Sequence, residues 1–164
     1  MKTSASVGAA LFFVAAPGVV AGLVPYVLTG WRLQPPWLGL VGMRSAGILL
    51  LAAGLLALIE CFVRFVRHGG TPAPVAPTER LVVSGLYRYV RNPMYVAVVS
   101  IILGQALLFG SRYLLGYAGI VWLLFHSFVV IYEEPTLRRR YGADYGRYAS
   151  QVNRWWPRWR AWEA

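Results

Sequence analysis

The sequence lacks most of what would mark a soluble, metal-bound or disulfide-stapled domain. Its one cysteine, Cys61, rules out an internal disulfide. With only His68 and His126 beside that cysteine, the ligands of a zinc or iron–sulfur centre are missing, and no metal site is expected. Charged residues make up 13% of the chain, against ~25% in average globular domains. Only six residues are acidic. Neither a G-x-G-x-x-G nor a Walker A sequence occurs, which excludes the two standard nucleotide loops. There is no internal repeat and no low-complexity run.

What is present is apolar and basic. Hydrophobic residues are 58% of the 164, and mean hydropathy is +0.54. Disorder is excluded by that much apolar surface, and the length fits one domain. The 16 basic residues give a net charge of +10. They cluster at the edges of apolar segments, which points to membrane orientation and anionic headgroups rather than nucleic acid.

Four spans are expected. The first is placed at residues 7–28, inside an uncharged run over 3–31. Lys2 before an apolar stretch also fits a signal peptide, but the run is longer than the usual ~7–15-residue core of one. Pro17 and Pro25 are expected to kink or end this span. The second covers residues 38–65, with Arg44 near one end and Glu60 near the other. The third, Pro93–Phe109, is at the short end of what crosses a ~30 Å core. The fourth covers residues 113–132 and carries no charge. Gly110, Ser111 and Arg112 join the last two in a tight helical hairpin.

Twelve of the 16 basic residues lie between Arg64 and Arg91 or in the tail from Arg138 to Arg160. Four spans put both segments on the side of Lys2, so both termini are expected in the cytoplasm. The membrane is expected to be a bacterial-type inner or plasma membrane. Residues 69–80 form a Pro/Gly-rich loop. It separates the two N-terminal spans (1–68) from a core (81–164) that holds nearly all the unusual polar residues. Beyond Pro135, Leu137, Tyr141, Tyr145, Tyr148 and Val152 recur at helical spacing, so the tail reads as one amphipathic helix. Gly142 and Gly146 each weaken it by about 1 kcal/mol. Trp155, Trp156, Trp159 and Trp162 follow, a set that suits the membrane interface.

The fold class is therefore an all-α integral membrane protein of about four spans. Its hairpin and C-terminal amphipathic helix frame a cytoplasmic cofactor pocket. Arg91, Asn92 and Tyr95 at the start of the third span are expected to face Glu133 and Glu134 at the end of the fourth. Asn92 suits a helix N-cap and Pro93 the first helical turn. The acid pair also fits the N-terminus of a following helix. His126 lies seven residues before Glu133, so a regular helix would put both on one face. A histidine within a span is a functional candidate, and equally a neutral ring bonded inside the bundle. Glu60 either joins the chemistry or pairs with Arg64, its i+4 neighbour. A site of arginine, paired acids and tyrosines suits a zwitterionic ligand with an aromatic part, and S-adenosylmethionine fits that description.

Two stretches carry a resemblance. LVVSGLYRYVRNPMY (residues 81–95) and EEPTLRRRYGADYGRY (residues 133–148) resemble the two signatures of the isoprenylcysteine carboxyl methyltransferase family. VNRWWP (residues 152–157) is similar to the family's usual ending. The wider group includes membrane phospholipid methyltransferases. The resemblance implies S-adenosylmethionine bound by Leu81, Val82, Tyr87, Asn92, Pro93, Met94, Tyr95 and Glu133, with Arg91 beside them. It also implies a lipophilic acceptor reaching the site from the bilayer. If that acceptor is an amine or thiol, His126, Glu134 or Glu60 is a candidate base. Asn92 stands where the family commonly has histidine. The turn at residues 129–132 lacks the arginine associated with prenylcysteine substrates. Two alternatives stand beside this reading: a phospholipid amine N-methyltransferase, and a non-catalytic module that keeps the pocket. A four-helix transporter would place charges along a midplane path, whereas here they lie at the ends.

Overall fold

The computed structural model describes residues 15–40, 42–67, 81 and 83–163. The whole 69–80 loop, Val82, His68 and the start of the first span lie outside them. Regular structure among the described residues is entirely helical. Helix α1 is Ala15–Thr29, α2 is Gly42–Arg67, α3 is Pro93–Phe109, α4 is Arg112–Phe128 and α5 is Glu134–Gln151. Short 3-10 turns occupy Trp37–Gly39 and Gly85–Arg88.

Two of the described helices are long and apolar enough to cross a membrane: α2, and α4 with its continuation into α5. Only 17% and 22% of their apolar windows are buried, so they are not core helices of a soluble protein. Leu49, Leu56, Leu124 and Ile131 are all exposed on their outer faces, as lipid-facing residues are. Helices α1 and α3 are apolar but shorter. Helix α3 is the centre. Val98, Ile101 and Ile102 pack there with Ala118 and Val121 of α4 and Ala21 of α1. Glycines let α2 approach α3 closely. A Cβ on Gly104 would sit 2.7 Å from the Leu51 nitrogen, and one on Gly47 would sit 2.8 Å from the Gly104 oxygen. Without a solvent-driven hydrophobic force inside lipid, such close backbone contact is a main source of helix association.

Pro25 lies within α1 and does not end it; Gly30, in the left-handed conformation at φ 55°, does. A π-turn at Val19–Leu23 comes just before Pro25. Proline has no N–H, so a carbonyl about one turn before it loses its helical donor. The Tyr117 hydroxyl donates to the Val20 oxygen at 2.8 Å, and the Gln105 amide donates to the Ala21 oxygen at 2.6 Å. Gln105 also accepts the Trp31 indole N–H at 3.2 Å.

The same pairing recurs at the other end of the bundle, where a π-turn at Val129–Glu133 precedes Pro135. The backbone stays helical through Glu133 and Glu134, so α4 runs into α5 without a break. The acid pair therefore does not sit at a fresh helix N-terminus. The tail helix is interrupted further on, at Gly142 (φ 51°, ψ −121°), and so is two helical pieces rather than one. Its apolar face is nonetheless the expected one. Tyr145, Tyr148 and Val152 are buried with Leu81, Val83, Leu137 and Tyr141 against them.

Candidate active site at the membrane edge

Gly110 closes α3 in a left-handed cap, and the Ser111 hydroxyl accepts the Leu114 N–H to start α4. This tight turn lays the two helices antiparallel and brings their open ends together. There the Tyr95 hydroxyl donates to Glu133 Oε2 at 2.8 Å. The Tyr95 ring also packs on Phe125, with centroids 4.6 Å apart. Phe125, rather than His126, thus shares a face with Glu133. The π-turn inserts about one extra residue, so eight positions here do what seven do in a plain α-helix. His126 is rotated away. Its Nδ1 accepts the Trp155 indole N–H at 3.1 Å, and its ring stacks on Trp122.

Glu134 is buried and fully engaged. Arg154 grips it with both arms, Nε to Oε1 at 2.7 Å and Nη2 to Oε2 at 2.9 Å. Arg91 Nη1 reaches Oε1 at 2.9 Å from the other side. Burial alone would raise this carboxyl, but the Arg154 hydrogen bonds and the two guanidinium charges hold it below the usual range. Glu133 behaves oppositely. Burial pushes it above the usual range, and the Tyr95 hydrogen bond offsets this only in part. Among the described residues no cation pairs with it.

The 3-10 turn Gly85–Arg88 forms the third wall. Tyr87 lies between Cys61 of α2 and Glu133, and burial drives its phenol well above its ordinary value. The Tyr148 hydroxyl donates to the Tyr87 carbonyl at 2.7 Å. Gly85, at φ 58°, packs directly on the Glu60–Arg64 ion pair, where a Cβ would collide with Glu60. Glu60 does pair with Arg64, at 2.7 Å, while its Oε2 is buried without a hydrogen bond among the described residues.

The remaining expected contacts divide. Pro93 and Met94 are buried at the start of α3. Asn92 precedes the helix but does not cap it with its side chain; Nδ2 donates instead to the Arg154 carbonyl at 3.2 Å. Leu81 packs on the tail helix, in the Tyr145–Tyr148 cluster. An open groove of about 550 Å³, lined by Arg64, Ser84, Arg88 and Trp162, lies outside the carboxylate cluster.

Residues 43–144 match the phospholipid methyltransferase family. The chain belongs to that family. Membership makes it a membrane methyltransferase, in keeping with the apolar helices. No curated protein and no solved structure matches it.

In this family member the match stops short of residues that complete the site. Tyr145, Tyr148 and Arg154 all follow residue 144. Arg154 is the candidate site residue the sequence concealed. Its only signal was its place in VNRWWP, one arginine among seven in the tail. The segment that carries it runs back along the first signature. The Arg91 N–H donates to the Asn153 carbonyl, Arg158 N–H to Tyr89 and Trp162 N–H to Arg88, each at 2.9 Å. Residues 153–162 thus form a backbone-paired strap across the site.

Proposed function

We propose that this protein transfers a methyl group from S-adenosylmethionine to a lipophilic acceptor that arrives from the bilayer. The observation that carries the reading is Glu133: a half-buried carboxylate, oriented by Tyr95, with no cation of the described protein beside it. Such an acid fits a ligand that brings its own positive charge. The cofactor has two, its ammonium and its sulfonium. Arg91 Nε is buried without a partner among the described residues and suits the cofactor's carboxylate. Tyr87, Pro93, Met94, Tyr95 and Phe125 supply apolar walls. When bound, the cofactor provides an electrophilic methyl carbon. The chain's own work is to orient the reactants and exclude water. By the positive-inside rule we place this basic edge on the cytoplasmic side.

The family match supports an amine-bearing phospholipid as acceptor. A protonated amine must lose its proton before it attacks, so the rate should rise with pH through neutrality. Glu134 is a poor base because both its oxygens are held by arginines. His126 is turned toward the tail. Glu60, with one unpartnered oxygen, is the base we favour.

The test is calorimetric titration of the protein in detergent with S-adenosylhomocysteine, beside Glu133→Ala. Saturable binding to the wild type, weakened at least tenfold in the variant, supports the pocket. Equal affinity for the two proteins would remove Glu133 from it. No binding to a folded wild type would overturn the cofactor reading.

A further inference from the structure

The strap at residues 153–162 has two unlike edges. The inner edge is satisfied by the three backbone hydrogen bonds to Arg88, Tyr89 and Arg91 and by Arg154 on Glu134. The outer edge carries Trp156, 79% exposed, and Trp159, 100% exposed. Two large aromatics with almost no protein contact need another partner.

The strap's own docking identifies that partner. Trp155 sits on Trp122 and His126 of α4, with ring centroids 6.3 and 5.9 Å away. His126 lies about 9 Å along the helix inside the end of the apolar segment at Tyr132. The strap therefore begins beside a membrane-spanning surface, where Trp122, Leu123 and Leu124 are themselves exposed. Its neighbourhood is basic. Arg160 is exposed on the strap itself, and Arg138, Arg139 and Arg140 are exposed on α5. Amphipathic indoles set among exposed arginines match the headgroup layer of an anionic leaflet.

We propose that the strap is a membrane-contact element specific for anionic lipid. Trp156 and Trp159 seat in the headgroup layer, and that seating keeps Arg154 on Glu134. The bilayer then helps hold the site together. The second half of this proposal rests on the function proposed above; the membrane contact does not.

The test uses the full chain in lipid nanodiscs, which leave both faces open to protease. One set contains phosphatidylcholine alone and the other includes phosphatidylglycerol. Trypsin cleavage after Arg158 and Arg160 should be roughly tenfold slower in the anionic discs. Raised salt should shrink that difference, and so should the double substitution W156S/W159S. Equal cleavage of the wild type in the two discs would overturn the membrane contact, whether or not the double variant folds. S-adenosylhomocysteine affinity, measured in the same discs, should be several-fold tighter with anionic lipid. Lipid-dependent cleavage with unchanged affinity overturns the coupling to the site. Lipid-dependent cleavage with no binding in either disc leaves the strap as a membrane contact and overturns the proposed function.

Discussion

Glu133 and Glu134 are neighbours in sequence with opposite surroundings. One is half-buried against a tyrosine, and the other is locked between two guanidinium groups. Their ionisation is pushed in opposite directions, a common way for adjacent acids to take different tasks. Glu134→Gln should cost about 3 kcal/mol, the low end for a broken buried pair, because Arg154 is partly exposed. The pH dependence carries a sign. The folded protein holds Glu134 below the usual carboxylate range, so its stabilisation is full above that range and fades as pH falls through the lower folded value. Thermal melts in detergent should show the gap between wild type and Glu134→Gln closing toward acid. At this scale the first signature and the acid pair were legible, since a hairpin must bring their ends together. Arg154 was not, because no periodicity says where a tail folds back.

Spans and hairpin are written in hydropathy and in the turn residues Gly110 and Ser111. The π-turns are not, because reading a helix face from spacing assumes 3.6 residues per turn. One inserted residue turned His126 to the tail and brought Phe125 onto Tyr95. Both π-turns precede a proline, so a proline inside a long apolar run is the sequence sign to look for. The glycines of these helices are not equivalent either. Gly104→Ala forces a Cβ against the Leu51 backbone and should destabilise by about 1–3 kcal/mol. Gly116→Ala in α4 meets nothing within 4 Å and should be neutral or stabilise by up to about 1 kcal/mol. Melting temperatures of the two variants should move in opposite directions, or Gly116→Ala not at all. An unchanged melting temperature for Gly104→Ala would mean that α2 and α3 are not held by this close contact.

For the whole molecule, the four-helix frame and the site are separable in extent. The family match spans residues 43–144, and the strap that closes the site lies beyond it. A chain ended at Gln151 keeps the α1–α4 core but loses Arg154, Trp155 and the backbone pairing to Arg88–Arg91. It should insert and remain helical by circular dichroism, yet bind S-adenosylhomocysteine at least tenfold more weakly. Undiminished binding would make the strap an ornament to the pocket.

The position of Arg154 also sets an order of events during synthesis. Chains fold from the N-terminus as they are made, so the helices are laid into the membrane while the strap has yet to be translated. Until then Glu134 has Arg91 but not the two-armed grip that arrives twenty residues later. A chain released at the end of α5 would leave an inserted bundle with an unfinished site. Completion of the proposed site is thereby tied to the stretch of message translated after α5.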